Sequence, residues 1–444
     1  MCGIAGTLGP TVPDTGRIAS ALSTMARRGP DASGHRVLDL GAQKAALLHT
    51  RLSVIDLDAR ADQPFERDGL VISYNGEIYN YLEVKADLEA LGHRFKTASD
   101  TEVLVAAWRQ WGPDALDRLE GMWAFAIVDT QAGTLYKSGD TFFDGVFELP
   151  PSTYLTLSSP ALSRPEFYWQ LKHIPRPMSA ADALEEARER LFRSVELRLR
   201  ADVPVAFCLS GGVDSATLAA IAAKKLGADI HCFSIIDADE RYNESDNITA
   251  MVEALGCDHH VTRTSTEGFF ARMEDIVAYH DAPVATISYY VHSFLSEAIH
   301  DAGYKVAVSG TGADEIYTGY YDHYSMWLAQ MWRRSQIDST VDFETLLTDW
   351  KGGFGAHVQN PLLQDPMTFV RDPGQRGHIT LDQDFFESLL ATPFHEDFEE
   401  TEFTRELLRN RMMNELFAES IPVILHEDGS SAAGQAQTRI QRLD

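Results

Sequence analysis

Three short stretches of this 444-residue chain place reactive groups where chemistry could happen. The first is the opening MCGIAG. Removal of methionine ahead of a small residue would leave Cys2 with both a thiol and a free α-amine. An α-amine titrates near ~8, so a neutral fraction exists at neutral pH and can take the thiol proton without a histidine. Taken alone, Cys2 is more readily read as a buried, inert thiol. The second stretch is Ser210-Gly211-Gly212-Val213-Asp214-Ser215, set between an apolar run and a helix-forming one. Paired glycines let the backbone approach an anion, and a helix start offers free N–H groups. The Gly-Lys-Ser/Thr ending of a Walker loop is absent, and a ligand-free glycine turn is the plain alternative. The third is SGTGADEIYTGYY, Ser309 to Tyr321. Gly310 and Gly312 permit a tight turn there, and Asp314 and Glu315 put carboxylates at a strand's end, oxygen ligands that suit magnesium.

These residues need elements to hold them. LVISYNGEIYNYLEVKADLEALG reads as strand, turn and amphipathic helix. GMWAFAIVDTQAGTLY reads as a hairpin, and ELPPSTYLTL as an edge strand after a proline pair. The texture changes at KHIPRPMSAADALEEARERL, where prolines give way to an N-cap and a long helix, so a boundary is expected between residues 1–175 and 176–444. Beyond it, apolar strands alternate with helices: VPVAFCL, DSATLAAIAAKKLGA, DIHCFSII, ESDNITAMVEALG, DHHVTRT and YKVAVSG. That alternation predicts a parallel α/β sheet covered on both faces. The tail from Gln330 onward reads as mostly helical.

Composition narrows the function classes. The chain is too long for one ordinary core. Lys plus Arg number 38 against 66 Asp plus Glu, a net charge of −28. So acidic a surface disfavours nucleic acid and anionic membrane as partners. No apolar run approaches the ~20 residues of a membrane span, and the start lacks a signal-peptide pattern. Cys2, Cys208, Cys232 and Cys257 form no CxxC pair, so neither a zinc site nor a disulfide framework is expected, and the reading is a reducing cytoplasm.

Taken together, the motifs carry a family resemblance. MCGIAG, RRGPD (Arg28 to Asp31), HTRLSVIDL with Arg51, SYNGEIYN with Asn75, Gly76 and Glu77, and TASDTEV with Ser99 and Asp100 resemble the glutaminase domain of class II glutamine amidotransferases. SGGVDS and SGTGADE resemble the pyrophosphate loop and its partner loop in the asparagine synthetase branch of that group. The resemblance implies an α+β N-terminal nucleophile domain of stacked antiparallel sheets with helices, then an α/β pyrophosphate-loop ATPase domain. It implies Cys2 as nucleophile, with Asn75 and Gly76 as oxyanion donors. Glutamine would lie against Arg51, Leu52, Ser53, Val54, Ile55, Asn75, Gly76, Glu77 and Asp100, with Arg51 on its α-carboxylate and Glu77 and Asp100 on its α-ammonium. ATP would lie against Leu209, Ser210, Gly211, Gly212, Val213, Asp214, Ser215, Ile235, Ser309 and Gly310, and Mg2+ against Asp214 and Asp314. Ammonia released at Cys2 would cross to an acyl-adenylate made from ATP and a carboxylate, with Trp123-Ala124-Phe125-Ala126 and the VAFCL strand as candidate linings. A cytoplasmic homodimer is the implied setting.

The sequence departs from the family pattern in three places. Near 138–140 and near 428–430 it passes over stretches that the family carries, a run of sheet strands in the first case and a phosphate-binding lysine in the second. The expectation is a longer parent protein, with an intact mass above 49.3 kDa. The third departure is Thr311, where asparagine synthetases commonly carry Glu near the acceptor. A hydroxyl cannot act as a carboxylate base, so the acceptor is read either as aspartate or as another carboxylate, such as a uronic acid or a secondary metabolite. Two other classes stand beside this. A ring-closing adenylating ligase would have lost the nucleophile, and Cys2 is present. A non-catalytic nucleotide or glutamine sensor would fit the missing lysine. Pyrophosphate release with and without glutamine separates the three.

Overall fold

The computed structural model describes residues 2–129, 149–158, 161–162, 164–170, 176–236, 244–280, 283–284, 286–355, 358, 363–375, 385, 388–390, 400–422, 424 and 437–440. The expected hairpin partner after Asp129 and both departures, near 138–140 and 428–430, lie outside these residues. So does the boundary expected at 175.

The first elements are β1 (Gly3–Gly9), α1 (Thr15–Met25), β2 (Ala32–Asp39), β3 (Lys44–Arg51), β4 (Phe65–Arg67), β5 (Leu70–Ile78), α2 (Tyr81–Ala90), α3 (Asp100–Trp111) and β6 (Gly121–Asp129). They build two antiparallel sheets, ordered β1-β3-β2 and β4-β5-β6. Side chains alternate across a strand, which explains why β3 is apolar on both faces. Ala46 and Leu48 pack beneath Ile18 of α1, while Ala45 and Leu47 meet Val71 and Val128 of the second sheet. On that sheet's far face, Leu70, Ile72 and Tyr74 pack against Val84, Leu88, Val103 and Leu104 of α2 and α3. The result is a stack of helix, sheet, sheet and helix, consistent with the expected stacked antiparallel sheets with helices. The ELPPSTYLTL segment yields only β7 (Thr153–Tyr154), paired with β10 (Glu166–Phe167), and β8 (Leu157–Ser158) pairs with β9 (Ala161–Leu162). Pro150 and Pro151 have no N–H to offer a longer ladder.

Next comes α4 (Ala180–Arg198), capped as the sequence predicts by Ser179, whose side chain accepts from the Asp182 N–H. It leads to β11 (Val205–Cys208), α5 (Val213–Ala220), β12 (His231–Ile236), α6 (Ser245–Leu255), β13 (Asp258–Arg263), α7 (Phe269–His280), α8 (Ser288–Asp301) and β14 (Val306–Ser309). The strands form a parallel sheet ordered β13-β12-β11-β14, extended by β15 (Gln437–Ile440). Phe207 and Cys232 face Leu218 and Ile248 on one side. Ala206, Phe233 and Ala307 face Ile299 of α8 on the other. Both faces are covered, as the unbroken apolar runs require. Two details differ from expectation. The helix after Gly212 changes to a π-helical turn over Ile221–Lys225, and the tail read as helical supplies strand β15.

The described residues divide into two compact units, one drawn from Met1–Lys172, Arg176–Gly310 and His426–Asp444, the other centred on Thr311–Leu425. The second unit is helical: α9 (Ala313–Tyr317), α10 (Tyr321–Ser335), α11 (Phe343–Gly352), α12 (Thr368–Arg371) and α13 (Leu407–Phe417). Met326, Leu328, Trp350 and Phe369 make its core. Below them lies a buried ion network in which Glu415 bonds His323 at 2.8 Å and Arg411 at 2.8 Å. Asp322, His323 and Glu415 are spaced closely enough for a metal, yet those pairings already occupy Glu415 and His323. Among the described residues, no helix is long and apolar enough to cross a membrane.

Candidate functional site

The pocket around Cys2 is lined by Cys2, Arg51, Leu52, Val54, Ile55, Gln63, Tyr74, Asn75, Gly76, Glu77, Ser99, Asp100 and Thr101. It thus gathers every glutamine-site residue expected from sequence except Ser53. Cys2 sits just ahead of β1, where its Sγ accepts the Leu52 N–H at 3.4 Å and reaches the Leu52 carbonyl at 3.8 Å. Arg28 Nε fixes the Cys2 carbonyl at 3.2 Å. Burial pushes the Cys2 thiol above its ordinary value, and Asp100 adds to the rise. Cys2 therefore rests as a thiol and needs a base. Among the described lining residues there is no histidine. The nearby strand residue His49 is buried with Nε2 on the Tyr74 carbonyl at 3.0 Å, and burial holds it down to about 4.

Opposite Cys2, β5 brings Asn75 and Gly76 to the pocket wall, with Gly76 in register with Trp123 of β6. A side chain at position 76 would put its Cβ 2.3 Å from the Met122 carbonyl and 2.7 Å from Trp123 Cα, so only glycine lets the strands close. The Asn75 side-chain oxygen is buried with no hydrogen-bond partner. Ser99 caps α3 by accepting the Thr101 N–H at 3.1 Å. This places Asp100 in the first turn, where its Oδ2 accepts Tyr74 Oη at 2.9 Å and the Ile78 N–H at 3.1 Å. Burial raises the Asp100 carboxyl despite those donors. A helix start stabilises the anion, but not enough to offset desolvation.

Arg51 does more than face the pocket. Its guanidinium donates to the carbonyls of Ile55, Asp56 and Asp58 and pairs with Asp62 at 2.6 Å. It therefore staples the loop that follows β3. Ser53 does not line the pocket; its N–H donates to Asp31 Oδ2 at 2.6 Å. Sequence reasoning misses Gln63, Tyr74 and Thr101. Tyr74 could have been found from the strand period, since it shares the Gly76 face of β5. Nothing local marks Gln63, whose side chain accepts the Tyr74 N–H at 2.7 Å and donates to Thr101 Oγ1 at 3.3 Å.

The second cluster lies at the carboxyl end of the parallel sheet. The chain leaves β11 in one direction through β12 and β13, then returns to β14 on its other side. The crevice between β11 and β14 is thus the topological switch point, where open α/β sheets bind ligands. Leu209, Ser210–Ser215, Ile235, Ser309 and Gly310 all sit at this edge. Hydroxyls tie the loop into shape: Ser210 Oγ accepts the Gly212 N–H at 3.2 Å and lies 2.9 Å from Ser215 Oγ. A Cβ on Gly310 would lie 2.8 Å from the Ser215 nitrogen, so the two strand-end loops touch only because position 310 is glycine. Burial raises the Asp214 carboxyl above its ordinary value. An internal carboxylate already tests the anion seat: Glu244 Oε2 accepts the Gly211 N–H at 3.0 Å. Asp314 and Thr311 belong to the other unit, where Asp314 lies against Gly319.

Of the candidate linings for an ammonia path, Trp123 and Phe125 pack into the core over α2 and α3. Val205 instead joins Leu52, Val54, Ile55 and Val306 in an apolar cluster that also touches Cys2 and Val203.

Comparison with known proteins agrees with this geometry. The family model described as Glutamine amidotransferase domain matches residues 1–142. Amidase chry2 of Gibberella zeae is 28% identical over 372 residues, covering 68% of this chain and 55% of the amidase. Asparagine synthetase (glutamine-hydrolyzing) 3 of Bacillus subtilis is 28% identical over 396 residues, covering 72% and 63%. Asparagine synthetase (glutamine-hydrolyzing) 2 of Oryza sativa is 30% identical over 369 residues, covering 72% and 60%. The chain thus spans less than two thirds of the length of these relatives. The model described as Asparagine synthase matches residues 186–439, more than half of the sequence, and the chain belongs to the asparagine synthase family.

Proposed function

We propose that the chain is a glutamine-dependent, ATP-consuming amide synthetase, with residues 1–175 as glutaminase and 176–444 as synthetase. The observation that carries the reading is the convergence on one pocket of Cys2, Asn75-Gly76, Arg51 and the buried carboxylates Glu77 and Asp100. With Met1 removed, the Cys2 α-amine takes the thiol proton as Sγ adds to the side-chain amide carbon of glutamine. Asn75 and the Gly76 N–H receive the oxyanion, each donor typically worth about 3 kcal/mol of transition-state stabilisation. The amine returns the proton to the leaving nitrogen, ammonia departs, and water cleaves the thioester to glutamate. Glu77 and Asp100 hold the substrate ammonium; Arg51 receives its α-carboxylate.

The glycine cradle at the sheet edge fits a polyphosphate. ATP supplies the adenylyl group that activates the acceptor carboxylate. The N–H groups of Ser210–Ser215 would hold its phosphates, with Leu209, Ile235, Ser309 and Gly310 around the nucleoside. Asp214 is the proposed magnesium ligand of this unit, and the Asp314 assignment rests on resemblance alone. Ammonia would pass along the cluster of Leu52, Val54, Val205 and Val306. Thr311 favours an acceptor other than aspartate.

Two variants dissect the reading. Cys2→Ala should abolish glutamine hydrolysis and leave MgATP binding intact, whereas Asp214→Ala should do the reverse. Loss of both functions in either folded variant would contradict the two-site reading. The acceptor is sought by pyrophosphate release with aspartate and uronic acids, using glutamine or ammonium as nitrogen source. No release with any carboxylate would favour the sensor.

A further inference from the structure

We propose that Lys305, a residue of the asparagine synthase-matched half, is a positioning residue for the Cys2 pocket and acts through Asp31. The inference rests on the reading of Cys2 as the glutaminase nucleophile. Lys305 immediately precedes β14, and its Nζ lies 2.6 Å from Asp31 Oδ2 across 274 residues of sequence. The same oxygen accepts the Ser53 N–H at 2.6 Å. Ser53 is the neighbour of Leu52, whose N–H meets Cys2 Sγ at 3.4 Å. On the other side of Asp31, Arg28 holds the Cys2 carbonyl at 3.2 Å, and the Asp31 N–H donates to the Arg51 carbonyl at 2.9 Å.

The turn carrying these contacts is packed closely on the strand beside it. A Cβ on Gly29 would lie 2.2 Å from the Thr50 carbonyl, so the turn lies flush on β3. Beneath it, Val306 is wholly buried against Leu52, Val54 and Ile55. Asp31 is therefore a carboxylate that shapes both segments flanking the Cys2 sulfur, and Lys305 is the cation that holds that carboxylate in place. The family models divide these residues between two regions, 1–142 and 186–439. The glutaminase pocket is thus braced, through Asp31, by a side chain from outside its own region.

The test uses the full chain carrying Lys305→Met, Lys305→Arg, Asp31→Asn and the double variant Lys305→Met/Asp31→Asn. Glutamine hydrolysis is measured as separate kcat and KM. Cys2 reactivity is read from labelling by an electrophilic glutamine analogue, and MgATP binding by calorimetry. A loosened nucleophile should lower kcat and the labelling rate together by about ten- to a hundredfold in Lys305→Met and in Asp31→Asn. MgATP affinity should stay within about twofold, and Lys305→Arg should recover most of the loss. The double variant should be no worse than either single one, because both remove one interaction. Unchanged kcat and labelling in Lys305→Met, multiplying losses in the double variant, or an equal loss of MgATP binding would overturn the proposal. If Lys305→Met does not fold, Asp31→Asn, which keeps an acceptor for the Ser53 N–H, carries the test. Glutamine hydrolysis surviving in Cys2→Ala would instead overturn the nucleophile reading beneath it.

Discussion

Around Cys2, the polar groups that face the pocket are mostly side chains, held by other side chains and by backbone groups alike. Tyr74 bonds Asp100, Gln63 bonds Tyr74 and Thr101, and Asp62 pairs with Arg51. Around residues 210–215, hydroxyl side chains hold the turn, and the proposed phosphate donors are backbone N–H groups. Side-chain sites discriminate by charge and by the direction of each donor, which suits a zwitterionic amino acid. Backbone sites offer many equivalent donors to an anion, which suits a polyphosphate common to many reactions. The first kind is undone by changing a functional group, the second by adding volume.

Gly76 breaks that division, because it is a backbone position inside the side-chain pocket. Gly76→Ala puts a methyl carbon 2.3 Å from the Met122 carbonyl and 2.7 Å from Trp123 Cα, both backbone atoms of a paired strand. The strands must part, which costs roughly 1–3 kcal/mol of stability. The proposed oxyanion N–H moves with them, so glutamine turnover should fall by about a hundredfold or more. Thermal melts and steady-state hydrolysis measure the two effects, with MgATP binding as the internal control. Turnover within about tenfold of the parent would show that the oxyanion is held elsewhere.

Asp100 sharpens the comparison from the other side. Asp100→Asn keeps an acceptor for Tyr74 and Ile78 but removes the charge that a glutamine ammonium would need. A charge-assisted hydrogen bond is worth about 1.5–3 kcal/mol, so glutamine KM should rise by at least about tenfold, with a smaller change in kcat. Burial raises the Asp100 carboxyl. A raised carboxyl contributes stability that is present below its unfolded value near ~3.9 and lost as pH rises through the folded value. Bound ammonium favours the ionised form and restores part of that loss. The glutamine-induced rise in melting temperature should therefore shrink as pH falls through the raised value, and this trend should flatten in Asp100→Asn. A pH-independent rise in the parent would remove Asp100 from the ammonium site.

What was legible in the sequence follows the same division. Backbone features are written locally: the glycines of 210–215 and 310, the Ser179 cap, and the alternation that became the sheet from β11 to β14. Clusters of motif residues also marked the pocket, because Asn75-Gly76-Glu77 and Ser99-Asp100 each arrive on one element. The supports of those residues were not legible. Gln63 reaches Tyr74 across 11 positions and Thr101 across 38. Lys305 reaches Asp31 across 274. No local pattern encodes such contacts, which are set by how two sheets stack and where a parallel strand ends. The π turn at Ile221–Lys225 and strand β15 were missed for a related reason. Helix propensity does not distinguish the first from α-helix, and pairing beside β14 decides the second.

Glu244 offers the smallest effect and the finest test of the backbone site. Its carboxylate accepts the Gly211 N–H at 3.0 Å, and Asn247 Nδ2 reaches the Gly211 carbonyl at 3.4 Å. A phosphate oxygen seated on the same N–H must displace this carboxylate and then sit beside its charge. Glu244→Gln preserves the acceptor and the reach of the side chain while removing the repulsion. MgATP should therefore bind about two- to fivefold more tightly, a gain of the size expected for one partly exposed charge. Added salt should weaken the difference, since screening already softens the parent's repulsion. Weaker binding in Glu244→Gln would mean that the carboxylate helps to hold the nucleotide's cation, and the loop would then share the side-chain logic of the Cys2 pocket.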